Sequence, residues 1–187
     1  MKKFFSLLTM LCLSSVLVMA QNTLPGLDKS PMDMSYCPAN YPGLIAQGKP
    51  VDPLIGRVIY SRPQKNGRAI FDSLVEYGKV WRVGANESTE IDFFKPVTID
   101  GKKIAEGRYT LYAIPNSTKW TMIINKATDC WGAYSYDEKK DILRVDVSVE
   151  KQSTSTEALV MAFQKSATGS NLVIVWDNVK VALPIAF

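Results

Sequence analysis

From Ile55 to the C-terminus the chain offers no window long enough to sustain a helical period, only short apolar-alternating runs cut by turn residues. That constraint leaves a sandwich or barrel of antiparallel strands as the fold class. "GRVIYSRP" opens the series, and "STEIDFFKPVTIDGKKIAEGRYTLYAIPNSTKWTMIINK" continues it, with Asp100-Gly101 as a two-residue hairpin signal and Asn116-Ser117-Thr118 as the next turn. "DILRVDVSVEK" alternates in the same way. "EALVMAFQKSATGSNLVIVWDNVKVALPIAF" then reads as three strands, with turns near Thr168-Gly169 and Asp177-Asn178. The nearest approach to a helix is "RAIFDSLVEYG", one or two turns at most. Within "AEGRYTLY", Tyr109 stands where immunoglobulin-like sandwiches place the tyrosine that bonds back to upstream backbone, with Leu111 at the position of their cysteine. The expected architecture is therefore all-β, a single antiparallel β-sandwich of immunoglobulin-like or jelly-roll-like type.

Six of the ten prolines fall between Pro25 and Pro53, where neither helix nor strand can run for long. Residues 21–54 read as an extended arm, and Leu24, Leu27, Met32, Met34, Tyr36, Tyr41, Leu44 and Ile45 make it apolar enough to lie against the domain at 55–187. Before the arm, residues 1–20 combine Lys2 and Lys3 with an apolar run and close on small-residue positions, the pattern of a signal peptide cleaved after Ala20. Met10 and Leu11 before Cys12 do not fit a lipid-anchoring site, and no later stretch is apolar enough for a membrane span. The expected protein is exported, periplasmic or extracellular.

Loss of the leader lowers the 22 basic residues to 20 against 18 acidic ones, which argues against charge-driven nucleic-acid binding. The chain has no histidine. Ser-His-Asp and Cys-His catalysis and imidazole-dependent metal sites are thereby excluded. No metal, cofactor or catalytic residue is assigned. Cys37 and Cys130 remain after the leader, open to two readings: one disulfide, or two buried apolar residues.

Two stretches concentrate chemistry. Between Tyr60 and Glu90 lie Arg62, Arg68, Trp81, Arg82, Asn86 and Glu87, interleaved with Gly67, Gly78 and Gly84. Guanidinium forks match carboxylate and phosphate geometry, so this set reads as a site for a small anionic or carbohydrate ligand. The bland alternative is that the arginines pin irregular loops while Trp81 fills the core. "CWGAYSYDEKKD" sets Trp131, Tyr134 and Tyr136 beside Asp137, Glu138 and Asp141, a pattern suited to sugar rings but equally to loop-covering aromatics.

Taken in order, "SRP", "GR", "YG", "WRVGAN" and "GRYTLYAIP" resemble an uncharacterised family of exported bacterial proteins catalogued as domain of unknown function 2911, over Pro31 to Phe187. The resemblance implies a bacterial, exported setting and singles out Ser61, Arg62, Pro63, Gly67, Arg68, Tyr77, Gly78, Trp81, Arg82, Gly84, Ala85 and Asn86. It implies no activity, ligand or catalytic residue. Cys37 departs from the family pattern, so a bridge to Cys130 is not a family trait. The leading functional reading is a non-catalytic sandwich that binds a small anionic or carbohydrate ligand, or an envelope partner, through Arg62, Arg68, Trp81, Arg82, Asn86 and Glu87. Its rivals are a glycan-active hydrolase or lyase with two carboxylates from Glu87, Glu90, Asp137 and Glu138, and a purely structural envelope module. The oligomeric state is not legible.

Overall fold

A computed structural model describes residues 24–187, so the signal peptide expected at 1–20 lies outside the described residues. Ten strands follow one another: β1 (Met32–Cys37), β2 (Gly56–Ser61), β3 (Glu90–Phe93), β4 (Val97–Ile99), β5 (Lys102–Ile104), β6 (Gly107–Pro115), β7 (Lys119–Asn125), β8 (Asp141–Ser148), β9 (Glu150–Ser166) and β10 (Gly169–Ala186). They form a six-stranded sheet in the order β1-β2-β3-β6-β7-β8 and a four-stranded sheet in the order β5-β4-β10-β9, antiparallel throughout. The sheets do not close into a barrel, and the expected β-sandwich is the fold. The single α-helix of the described residues, α1 (Tyr41–Ala46), is six residues long, and none is long and apolar enough to cross a membrane.

Alternation decides which side chains make the core. On β6 and β7 the opposed pairs Leu111–Ile124 and Ala113–Met122 face the second sheet, while Thr110–Asn125 and Tyr112–Ile123 face outward. Local signals read from the sequence hold. Asp100 and Gly101 both take positive φ, 49° and 73°, as a tight turn between β4 and β5 demands. The Tyr109 hydroxyl donates to the Ala105 carbonyl at 3.1 Å, the bond expected of a tyrosine corner.

Asp177-Asn178 is not a turn. β10 runs through it, with Asp177 at φ 51° in a bulge that shifts the register against β9. Inward positions switch from even (Leu172, Ile174, Trp176) to odd (Val179, Val181, Leu183, Ile185) at that point, so one long strand keeps its apolar face inward throughout. The polar pair that resembles a turn marks this phase change. The arm is also more closely built in than an apposed segment: Met32–Cys37 pairs with β2 along its whole length.

Residues 62–89, between β2 and β3, cross from one sheet to the other and back. The Leu159 amide donates to the Pro63 carbonyl at 3.0 Å and the Lys65 amide to the Glu157 carbonyl at 2.8 Å, which stitches the segment to the edge of β9. Lys65 also reaches the bulge at Asp177, 2.5 Å away. The return path joins β6: Trp81 and Ala113 exchange amide bonds at 2.7 and 3.0 Å, and the Leu111 amide donates to the Thr89 carbonyl at 2.9 Å. Between these anchors Trp81 lies parallel to Trp176 of β10, 6.1 Å between centroids, and edge-on to Trp120 of β7 at 5.7 Å, with Phe71 beside all three. One indole from each sheet and one from the crossing segment thus close this end of the sandwich. Trp81→Ala is expected to lower the unfolding free energy by about 3 kcal/mol, measured by urea denaturation, as deletion of a packed tryptophan does.

Candidate functional site

β-alternation turns the residue after Trp81 to the other side of the sheet. Arg82 accordingly leaves the core, and residues 82–89 loop out of the ladder before β3 begins. The loop is closed at its neck by the Thr89 amide donating to the Arg82 carbonyl at 3.2 Å and by the Thr89 hydroxyl donating to the Val83 carbonyl at 2.9 Å. Its backbone is costly. Val83, fully buried, takes φ 54°, a left-handed conformation that β-branched residues avoid. A Cβ on Gly84 would stand 3.2 Å from the Ser61 carbonyl oxygen, which explains the glycine of the signature without invoking a ligand.

The second chemistry-rich stretch lies directly against this loop. The Gly132 amide donates to the Asn86 carbonyl at 2.9 Å, the Ser88 amide donates to the Cys130 carbonyl at 2.9 Å, and the Ser88 hydroxyl donates to the Gly132 carbonyl. Glu87 and Trp131 face each other across a bridge. Gly132, at φ 62°, lets the Tyr134 ring and Arg82 pack against the backbone, where a Cβ would meet the ring at 3.1 Å and the Arg82 Nη1 at 3.5 Å. The two clusters, 40 or more residues apart in sequence, therefore form one surface.

The three arginines do not converge. Arg62 bonds the Asp33 carboxylate at 3.0 Å and, through Nε, the Leu159 carbonyl at 3.0 Å, so it ties β1 to β9. Arg68 closes its own turn on the Lys65 carbonyl at 2.9 Å and on the Gln64 carbonyl. Arg82 is different: half-buried, it has no ion-pair partner among the described residues, and its Nε is buried without a hydrogen-bond partner. Trp81 belongs to the core. Asn86 serves through its carbonyl and its φ of 58°, and Glu87 is exposed.

Two further buried polar atoms among the described residues have no partner, Ser61 Oγ and Tyr112 Oη, and both flank the same loop. Ser88 and Cys130 stand near the Tyr112 hydroxyl without completing a bond to it, and burial pushes its phenol up. Buried polar groups are seldom left unsatisfied, so three around one loop single it out. Ser61 stands in the signature singled out from the sequence, whereas Tyr112 was missed, because its strand position looks like an ordinary β residue.

Beside the loop, Glu87, Ser88, Glu90, Asp129 and Cys130 line a groove of about 310 Å³ with Met32, Ile59 and Trp131. Trp131 and Tyr134 expose 58% and 85% of their surface, enough for stacking from solvent. Glu90 is engaged by Arg108 at 3.4 Å and by the Asp129 amide at 3.0 Å. Asp137 and Glu138 lie elsewhere, the first accepting from the Lys139 amide at 3.0 Å and the second 3.8 Å from Arg144. The four acids named from sequence do not line a common groove. Among the described residues no cluster of acids and cysteines is placed to hold a metal ion. Cys37 and Cys130 are free thiols, Cys37 in the core and Cys130 in the loop over the outer face of the six-stranded sheet.

The covering loop is held by Tyr136. Its ring packs edge-on against Tyr112 at 5.1 Å, and its hydroxyl donates to Asp141 at 2.6 Å. Burial first, then that bond, push its phenol up to about 12. A folded value above the ordinary ~10 means that the stabilisation is complete below that pH and is lost as pH rises toward the folded value. Urea midpoints are thus expected to fall across that alkaline interval, and to fall less steeply in Tyr136→Phe.

A family model described as "Protein of unknown function (DUF2911)" matches residues 52–185. Neither the curated proteins nor the solved structures contain a match to the chain.

Proposed function

We propose that this chain, which belongs to the family described as Protein of unknown function (DUF2911), is a non-catalytic β-sandwich that binds a carbohydrate carrying one acidic group. The observation that carries this reading is Arg82, a half-buried guanidinium with no acid of its own among the described residues and an Nε without an acceptor, set close to Gly132 and the exposed Tyr134 ring. A guanidinium meets a carboxylate with paired N–H donors, and removal of such a donor leaves the ligand charge unpaired. Trp131 and Tyr134 supply exposed ring faces for the apolar side of a sugar, and the Glu87 carboxylate accepts from hydroxyls. Asn86 holds the two loops in register. Arg62 and Arg68 serve the fold.

In the same reading the protein works outside the cytoplasm, because residues 1–20 have the composition of a signal peptide. N-terminal sequencing of the chain from its native host is expected to begin at Gln21; an intact Met1 would contradict export.

Calorimetric titration with uronic-acid oligosaccharides, and with neutral oligosaccharides of equal length, tests the ligand class. Wild type is expected to bind the acidic sugars more tightly by about tenfold, the contribution of one charge-assisted pair. Trp131→Ala and Tyr134→Ala, both surface changes, should weaken both sugar classes while leaving the urea midpoint in place. Arg82→Lys should remove the preference for the acid. Equal affinity of wild type and Arg82→Lys for acidic sugars, or no binding by wild type, would overturn the reading.

A further inference from the structure

At the end of the sandwich away from the tryptophans, residues 38–54 leave β1 and return to β2 as a loop whose neck is closed by the Ile55 amide donating to the Cys37 carbonyl at 2.8 Å. No side chain of α1 within this loop is fully buried, and Leu44 is partly so. Its hydrogen bonds are internal, the Leu44 amide to the Asn40 carbonyl at 3.0 Å and the Lys49 amide to the Leu44 carbonyl at 3.0 Å, and among the described residues none joins it to β9 or β10. Between the loop and the turn end of the β9–β10 hairpin lies a cavity of about 730 Å³. That volume falls within the roughly 300–1,000 Å³ of small-molecule sites.

The walls are apolar, Leu44 and Val51 from the loop against Ile55, Phe163 and Phe187 from the sandwich, with the Cys37 thiol among them. Two charged groups face the space. Lys165 comes from the end of β9, Asp52 from the loop, and neither has an ion-pair partner among the described residues. Lys165 stands on a hydrogen-bonded hairpin, opposite Ser170, whereas Asp52 rides on the loop that no hydrogen bond ties to β9 or β10. The lining therefore carries one positive and one negative side chain, and the positive one is anchored on the hairpin. Ser170 gives its proton to the Gln164 carbonyl at 2.9 Å, which leaves Lys165 as the side chain able to meet an anion there.

We propose that this cavity holds a straight-chain aliphatic carboxylate, its chain between Leu44, Ile55, Phe163 and Phe187 and its head group at Lys165, with residues 38–54 as the lid that admits it. Apolar burial supplies the affinity and the amine sets the orientation. The site is separate from the face around Arg82 and stands whether or not that face binds sugar.

Cys37 reports on the cavity from within. It is 4% exposed, and burial pushes its thiol up, so its reaction with a disulfide reagent is slow and follows access. In a chain carrying Cys12→Ala and Cys130→Ala, dodecanoate below its micelle concentration is expected to slow modification of Cys37 saturably, with one molecule bound per chain by calorimetry. Dodecanol should protect less well. Lys165→Ala should weaken dodecanoate several-fold without changing dodecanol, and Leu44→Glu should abolish protection in a chain that still unfolds cooperatively in urea, because no side chain of α1 is fully buried. No protection by dodecanoate, or full protection in Leu44→Glu, would overturn the site. Equal protection by dodecanol would overturn the role of Lys165.

Discussion

The contact of Trp81 with Trp176 and Trp120 is the constraint on which the rest of this structure turns. The two sheets supply one indole each, and the third comes from a segment that leaves β2, crosses to β9 and returns to β6. Because Trp81 is fixed both by its exchange of amide bonds with Ala113 and by the aromatic stack, the side-chain direction of the next residue is no longer free. Arg82 is placed on the outer face by packing on the inner one. A core interaction thus sets the position of Arg82, whose side chain, unlike those of Arg62 and Arg68, engages neither an acid nor a carbonyl among the described residues.

The loop that follows is over-determined rather than relaxed. A buried valine at positive φ and three buried polar atoms without partners are each unfavourable, by about 1 to 3 kcal/mol apiece as a class. They persist because both flanks of the loop are tied, on one side to β6 and on the other to Cys130 and Gly132. Orphaned polar groups beside a buried β-branched residue at positive φ distinguish this loop from the turns at Asp100 and Thr168, which have no buried polar atom without a partner.

Much of the fold was legible because its signals are local. Asp100-Gly101 needs only its own two residues to form a tight turn, and Tyr109 needs a carbonyl four residues back. Asp177-Asn178 misled for the same reason: a turn and a bulge use the same left-handed conformation, and only the apolar phase on either side, even before and odd after, separates them. The strand at Met32–Cys37 was hidden by flanking prolines, Pro31 and Pro38, that bound it without interrupting it. The candidate site was legible in part. Each of its two stretches stood out by composition, but their meeting rests on bonds such as Gly132 to Asn86 that no spacing encodes, and the supposed trio of arginines dissolved once Arg62 met Asp33 and Arg68 met its own turn. The end cavity left no mark, since its walls come from an arm, a hairpin and the C-terminal residue.

Charge distribution narrows what the outer face accepts. The chain as a whole is slightly basic, at +4, yet the groove beside Arg82 is lined by Glu87, Glu90 and Asp129. Arg108 offsets part of this charge by pairing with Glu90 and, at 2.6 Å, with Asp129, which leaves Glu87 as the carboxylate outside any pair in that lining. Under the proposed function, a ligand with a run of negative charges would meet these acids along the groove, where screening acts only beyond about 8 Å. In the same proposal, a ligand with one acidic group beside several hydroxyls would meet a guanidinium at the first and an acceptor at the others. So proposed, the same pair of residues would favour a mono-acidic sugar over polyphosphates and nucleic acid through local charge rather than through the net charge of the protein.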